Sequence, residues 1–340
     1  MIKHYLEKVI AGEDLTQQEA SQVLDKIIAG DINETQAGAL LTALRMKGES
    51  VDEIVGFVET MEKHMVKIDL EDTNAIDMCG TGGDGSQSFN VSTTAALVVA
   101  AGGVTVAKHG NRSISSKCGS ADVIEKLGVK IDLSPAAVKQ CIDKIGIGFL
   151  FAPLYHPAMK ILAPVRKSLE IRTVFNMLGP LLNPAQVRRQ LIGTFNVEAA
   201  QKLAKVLLAR GYKKACTVHS GDGFDEVSPF AENQIFEVSQ NNDSFRELKY
   251  AVRSNVRNKA SQTVRGASSG ENAKITLDIL EGEKGATRDM TVTNAAFGFY
   301  VAEKVDTVEA GIELSEKVID SGAALAKLIE LRETSLSLVK

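Results

Sequence analysis

Ala75-Ile-Asp-Met-Cys79, Gly80-Thr-Gly-Gly-Asp-Gly85 and the segment Val91–Ala101 follow one another and decide the fold class. The first is a short strand-like run and the second a glycine turn. The third is an apolar, alanine-rich stretch suited to a buried helix. The alternation continues outward from there. Strand-like runs recur at Gly103–Ala107, Gly148–Phe151, Gln190–Phe195 and Ala215–His219; helices open at Ser134-Pro135 and cover Ala199–Ala209. This pattern predicts a mostly parallel sheet covered by helices, with ligands held at the carboxyl ends of the strands.

The flanks read differently. The first seventy residues are helical only, with capping signatures at Thr16/Glu19, Asn33/Gln36 and Ser50/Glu53. Each cap precedes an apolar stripe: Ala20, Val23, Leu24 and Ile27; then Ala37, Leu40, Leu41 and Leu44; then Ile54, Val58, Met61 and Met65. Gly30 and Gly48 stop the first two helices. Helices this short need something else to pack on, either a partner domain or a second subunit. At the other end, Phe236–Asn272 is polar and weakly periodic, carries Arg253, Arg257, Lys259 and Arg265, and reads as irregular or hairpin structure. Helices over Asn294–Glu303 and Val308–Leu331 close the chain.

Composition excludes several classes. Of 340 residues 44% are hydrophobic and 24% charged, enough for one large core and a smaller one beside it. A net charge of −4 gives no general attraction to nucleic acid or an anionic membrane, so a small anion has to be held by local groups. Cys79, Cys118, Cys141 and Cys216 are widely spaced, with no C-x-x-C pair, which argues against zinc or a disulfide framework and for reduced cytosolic thiols. There is no apolar leader and no run of about 18 apolar residues, so a soluble cytoplasmic protein is expected.

Four stretches carry chemistry. Gly80–Gly85 lets backbone N–H groups approach an anion ahead of a helix N-terminus. It satisfies G-x-G-x-x-G, but a dinucleotide fold wants an acid about twenty residues on, where this chain has Thr105-Val-Ala-Lys108; a plain tight turn is the other alternative. In Asn90-Val-Ser-Thr-Thr94, Asn90 or Ser92 caps the helix, or the hydroxyls and N–H groups hold a phosphate and a Ser oxygen ligates magnesium. Lys108-His-Gly-Asn-Arg-Ser-Ile-Ser-Ser116 lies behind a strand and reads as an anion clamp rather than a solvated loop. Asp225-Glu226, in a glycine-containing loop after a strand, suits magnesium, which takes one or two carboxylates plus waters and phosphates.

Together these stretches resemble the anthranilate phosphoribosyltransferase family. The matching blocks also include Lys117–Asp122, His156–Lys160, Pro164–Arg166, Arg172–Pro184 and Val218–Pro229, with a return at Asn294–Ala326. The resemblance implies a helical domain over residues 1–72, with helices from about 158–186 packing on it, and an α/β domain over residues 73–340. It implies that Gly80, Gly83, Asp84, Ser88, Asn90, Ser92, Thr93, Lys108 and Ser120 contact phosphoribosyl pyrophosphate, within a substrate site that also takes in Val91, Gly110, Arg112, Ser113, Ile114, Ser115 and Ser116. It implies Mg2+ on Ser92, Asp225 and Glu226, and anthranilate on Asn111 and Arg166, with His109 lining that pocket and standing as the candidate catalytic group. Pairing into a homodimer through the helical domain is implied as well. Three features depart from the family: Glu170 where Gly is usual, Cys118 for a common Ser, and a poor fit from Phe230 to about Ala267. Two rivals carry different chemistry, a pyrimidine nucleoside phosphorylase of related fold and a non-catalytic nucleic-acid-binding relative using the basic stretch Arg253–Arg265; the Asn111/Arg166 pairing opposes the first and the negative net charge the second.

Overall fold

The computed structural model describes residues 2–83, 85, 88–113, 118–240, 244–250 and 264–339. Four helices open the chain: α1 (Ile2–Ile10), α2 (Gln17–Ala29), α3 (Glu34–Lys47) and α4 (Val51–Lys63). Then come β1 (Ile76–Gly80), α5 (Val91–Ala101), β2 (Val106–Gly110), α6 (Ser120–Lys126), α7 (Pro135–Ile145) and β3 (Ile147–Phe151). Helices α8 (Ala152–Tyr155), α9 (Ala158–Leu169) and α10 (Phe175–Leu178) lead to β4 (Arg189–Gly193), α11 (Val197–Ala209) and β5 (Lys214–Ser220). Strands β6 (Asn233–Ser239) and β7 (Arg246–Tyr250) precede α12 (Ser269–Leu280), α13 (Ala286–Val301), α14 (Val308–Asp320) and α15 (Ala323–Ser337).

These elements form two compact units, Met1–Val66 with Pro153–Leu182, and Lys67–Ala152 with Asn183–Lys340. In the first, all three capping boxes form as the sequence predicts, and every residue of the three apolar stripes is buried. The packing partner those helices needed lies in the same unit: Gly38 of α3 faces Val165 and Leu169 of α9, and Phe175 stacks on Phe57 of α4 with ring centroids 6.5 Å apart.

The second unit is built on a seven-stranded sheet of order β3-β2-β1-β4-β5-β6-β7. Strands β3 to β5 are parallel, and β5-β6-β7 is antiparallel. Strand order reverses between β1 and β4, so the crevice for a ligand opens at their carboxyl ends. Helix α5 is apolar over almost its whole surface and buried in the main core, as its composition requires.

Some expectations need correction. Strand β2 runs Val106–Gly110 rather than Gly103–Ala107, so Lys108 and His109 are strand residues, 3% and 8% exposed, and not a loop behind it. Parallel pairing with β3 carries the strand onward, and buried oxygens accommodate the ammonium. The polar stretch does form a hairpin, β6–β7, but it ends in helix α12, nucleated by a Ser268/Glu271 capping box. The helix at Asn294 begins earlier, at Ala286; it is buried nearly all round, and Thr291 and Thr293 bond back to its own carbonyls, so its first half shows no apolar stripe. The last helix is two, broken at Ser321-Gly322, where Gly322 takes φ 78°. Helix α6 shows no periodic stripe in the sequence and starts on a Gly119/Asp122 contact.

Candidate active site

Gly80 and Gly193 are register partners at the carboxyl ends of β1 and β4, and Asp225 lies across both. A Cβ on Gly193 would sit 1.5 Å from the Asp225 carbonyl oxygen, and one on Gly80 would sit 2.5 Å from Asp225 Oδ2. The paired glycines thus admit the carboxylate loop to the switch point of the sheet. The Gly82 N–H donates to Asp225 Oδ2 at 3.0 Å, while Gly82 and Gly83 take φ 65° and 76°. Thr81 donates its N–H to Gly193 O at 2.9 Å, tying the turn to β4.

The neighbouring carboxylate meets the helix. Ser92 N–H, in the first turn of α5, donates to Glu226 Oε1 at 3.2 Å, with the helix dipole favouring negative charge there. Lys108 Nζ lies 2.5 Å from Met78 O and 3.5 Å from Ser92 Oγ. Asp225, Glu226, Ser92 and Lys108 therefore form one cluster. Beneath it Asp77 is fully buried; its Oδ1 accepts from His109 N at 3.2 Å, and its Oδ2 from Asn183 Nδ2 at 2.8 Å. Burial pushes this carboxyl up and Lys108 opposes the shift. His109, the candidate catalytic group, is enclosed beside Asp77 and held through its backbone.

Asn90 takes the N-cap position of α5 without a side-chain capping bond, so neither it nor Ser92 plays the simple cap that the sequence allowed. Val91 and Thr93 are buried in the first turn, and Ser88 bridges to Arg265. After β2, Arg112 N donates to Asn111 Oδ1 at 2.8 Å, and Ser120 Oγ donates to Asn111 O at 3.4 Å beside Gly110. The Arg112 guanidinium is held by Asp122 and, in a bidentate pair, by Glu125, and lies 5.7 Å from the Phe151 ring centroid. Asp122 also accepts from Ser113 N, so this arginine organises the loop. Asp84, Ile114, Ser115, Ser116 and the basic residues Arg253, Arg257 and Lys259 lie outside the described residues.

Arg166 belongs to the first unit, on α9, half-buried, 5.5 Å from the Phe175 ring centroid and 3.9 Å from Met159 Sδ. Burial lowers its pKa, but a guanidinium stays charged. Glu170 ends the same helix at φ 51°, ψ 18°, the left-handed conformation in which the usual glycine is unstrained.

Four supporting residues escaped the sequence reading: Asp77, Gly193, Asn272 and Asn294. A lone acid inside an apolar strand is the signal that could have found Asp77; the others sit in elements whose neighbours in space are far away in sequence.

Metal chemistry fits this cluster. Two adjacent, 8%-exposed carboxylates beside a serine hydroxyl offer hard oxygen donors, and magnesium needs no more protein ligands than that when a substrate brings phosphates.

Comparison with known proteins identifies the family. Residues 72–325 match the family described as glycosyl transferase family, a/b domain, and residues 3–65 the glycosyl transferase family, helical bundle domain. The chain belongs to this two-domain family of glycosyl transferases. Within the family it falls among anthranilate phosphoribosyltransferases: the one of Acetivibrio thermocellus is 45% identical over 339 residues, covering 100% of this chain and 98% of the relative. The crystal structure of the anthranilate phosphoribosyltransferase from Thermus thermophilus superposes with a TM-score of 0.90 at 38% identity, covering 98% and 99% of the two chains. The Saccharomyces cerevisiae enzyme in complex with PRPP and Mg superposes with a TM-score of 0.87 at 27% identity, covering 99% and 98%.

Proposed function

We propose that this chain transfers the phosphoribosyl group of 5-phosphoribosyl 1-pyrophosphate to the amine of anthranilate, giving N-(5-phosphoribosyl)anthranilate and pyrophosphate in tryptophan biosynthesis. The observation that carries the reading is the cluster at the β1/β4 switch point, where Asp225 and Glu226 meet the Gly82 and Ser92 N–H groups beside Lys108.

In this reading Gly80, Gly83, Asp84, Ser88, Asn90, Val91, Ser92, Thr93, Lys108 and Ser120 hold the sugar diphosphate through backbone N–H groups, hydroxyls and one ammonium. Asp225 and Glu226, with Ser92, hold Mg2+, which supplies the charge neutralisation that makes pyrophosphate a good leaving group. As the C1–O bond breaks, C1 gains oxocarbenium character. Lys108 and the loop N–H groups stabilise the departing negative charge. The aryl amine is neutral at pH 7, so presenting it to C1 matters more than a strong base. Arg166 pairs with the anthranilate carboxylate and Asn111 orients the carboxylate or amine, with His109 and Gly110 lining the pocket. Arg112 and Ser113, both tied to Asp122, belong to the substrate site together with Ile114, Ser115 and Ser116.

We place the protein in the cytoplasm as a homodimer joined through its helical unit, where Ile10, Met46 and Ile161 leave apolar surface exposed. Light scattering on the eluting protein gives twice the chain mass if this is so. The function is tested by mixing protein, magnesium, phosphoribosyl pyrophosphate and anthranilate and following loss of anthranilate fluorescence. Unchanged fluorescence at micromolar enzyme would reject the acceptor.

A further inference from the structure

Asn90 ends in an amide whose orientation is decided by a residue 182 positions away. The Ala267 N–H donates to Asn272 Oδ1 at 2.9 Å. A backbone N–H only donates, so that atom of Asn272 is its oxygen and the other is its NH2 group. The Asn272 NH2 group contacts Asn90 at 2.9 Å, and an NH2 group only donates, so the contacted atom of Asn90 is Oδ1. The Cys118 sulfur reaches the same oxygen at 3.5 Å. Burial pushes this thiol up to about 11, so it carries its proton at neutral pH, and its single S–H is shared between Asn90 Oδ1 and the Gly119 carbonyl, each at 3.5 Å. Both donors fall on the carbonyl end. The Nδ2 end of Asn90 therefore keeps two N–H donors with no acceptor among the described residues.

The seat is built for this. Asn272 is 2% exposed, in the first turns of α12, whose start is set by the Ser268/Glu271 box. The Phe89 N–H donates to Val264 O at 3.2 Å, and a Cβ on Gly266 would meet both Phe89 Cα and Asn272 Oδ1 at 2.8 Å. Residues 264–272 and 88–90 are thus packed backbone to backbone, with Ser92 and its bond to Glu226 two residues further on.

We propose that Asn272 is a positioning residue that locks the carboxamide of Asn90 with its NH2 group turned to the pyrophosphate of the donor substrate; this rests on the site assignment above. The opposite orientation would aim a carbonyl oxygen at an anion. Asn272 meets the site through Asn90 Oδ1, while its own oxygen holds the Ala267 N–H.

Asn272→Asp keeps an acceptor for Ala267 but turns an oxygen toward Asn90, which then rotates its own oxygen outward. Titration calorimetry with phosphoribosyl pyrophosphate and magnesium should show affinity falling 10- to 100-fold, with KM for anthranilate within twofold of the parent. In an Asn90→Ala background the same change should add less than twofold, because the amide it orients is gone. Asn272→Ala, which adds no charge, should weaken binding three- to tenfold with the same dependence on Asn90, and it decides the matter if the aspartate variant does not fold. Unchanged affinity in a folded variant, or equal losses in both backgrounds, overturns the proposal. A parent that binds the sugar diphosphate without consuming anthranilate sinks the acceptor assignment alone, and the affinity comparison still stands or fails on its own. A parent that does not bind it overturns both.

Discussion

Asn294 of α13 grips both backbone polar atoms of Val227: it accepts the Val227 N–H on Oδ1 at 3.0 Å and donates Nδ2 to the Val227 carbonyl at 3.0 Å. All of these groups are buried, one residue beyond Glu226. A helix side chain thereby sets the height of the carboxylate loop over the sheet. Replacing it with leucine leaves two buried peptide groups unsatisfied, at about 1–3 kcal/mol each. Asn294→Leu is expected to lower the melting temperature and to raise the magnesium concentration for half-maximal rate at least fivefold. A magnesium titration of activity beside a thermal melt checks both.

The glycine pair under Asp225 makes a sharper case. Gly193→Ala and Gly80→Ala each put a methyl where Asp225 already lies, and the loop has to rise to admit it. A displacement of about 1 Å at the site corresponds to a rate loss on the order of 100-fold. Gly270→Ala on α12, where a Cβ meets nothing within 4 Å, is the matched control and should leave the rate unchanged while adding up to about 1 kcal/mol of stability. Steady-state rates on the three variants, with circular dichroism to confirm folding, give the comparison.

Arg166 is expected to act on the acceptor. Arg166→Ala should lower kcat/KM for anthranilate by a factor equivalent to about 2–4 kcal/mol, the scale for removing one partner of a desolvated charge pair. Arg166→Lys should recover only part of this, because a point charge does not reproduce a planar fork. The KM for phosphoribosyl pyrophosphate should move less than threefold. Normal anthranilate kinetics in Arg166→Ala would remove this residue from the site.

His156, 5% exposed in the helical unit, is pulled down to about 4 from an ordinary 6.5, mainly by burial and against a hydrogen bond to the Leu182 main chain. Between pH 6.5 and 4 the unfolded chain holds a proton on this ring that the folded chain does not. Stability from this group is therefore complete above pH 6.5 and is lost as pH falls toward 4. From pH 7.5 to 5 the loss is on the order of 2 kcal/mol. Urea midpoints at the two pH values read it directly, and His156→Gln should flatten the difference.

At the end of α9, Glu170→Gly should raise stability by about 0.5–1 kcal/mol, since a left-handed conformation costs a side-chain-bearing residue about 1–2 kcal/mol and glycine returns part of that through its greater freedom when unfolded. Glu170→Val should lower it, because a branched Cβ crowds that conformation further. Paired thermal melts settle the sign.

The departure at Glu170 could be named from the sequence, but its cost needed the backbone angle. The same division runs through the molecule. The amino acids alone determined the helical start, its three capping boxes and buried stripes, and the parallel strand–helix alternation, because caps and apolar periods are relations between residues three to four positions apart. They also marked Gly80, Ser92, Lys108, Asp225 and Glu226, because glycine, hydroxyl, ammonium and paired carboxylates gathered behind strand-like runs suit an anion and its metal. Only the tertiary structure decided that Gly193 stands beside Gly80, that Lys108 is a buried strand residue, that Arg112 is spoken for by Asp122 and Glu125, and that Asn272 and Asn294 hold the loops from α12 and α13. Those relations join residues from 10 to 182 positions apart, or depend on which face of a strand is covered. Such contacts leave no period in the sequence; they exist only once the sheet and its helices have buried their apolar faces and brought the polar side chains within bonding distance.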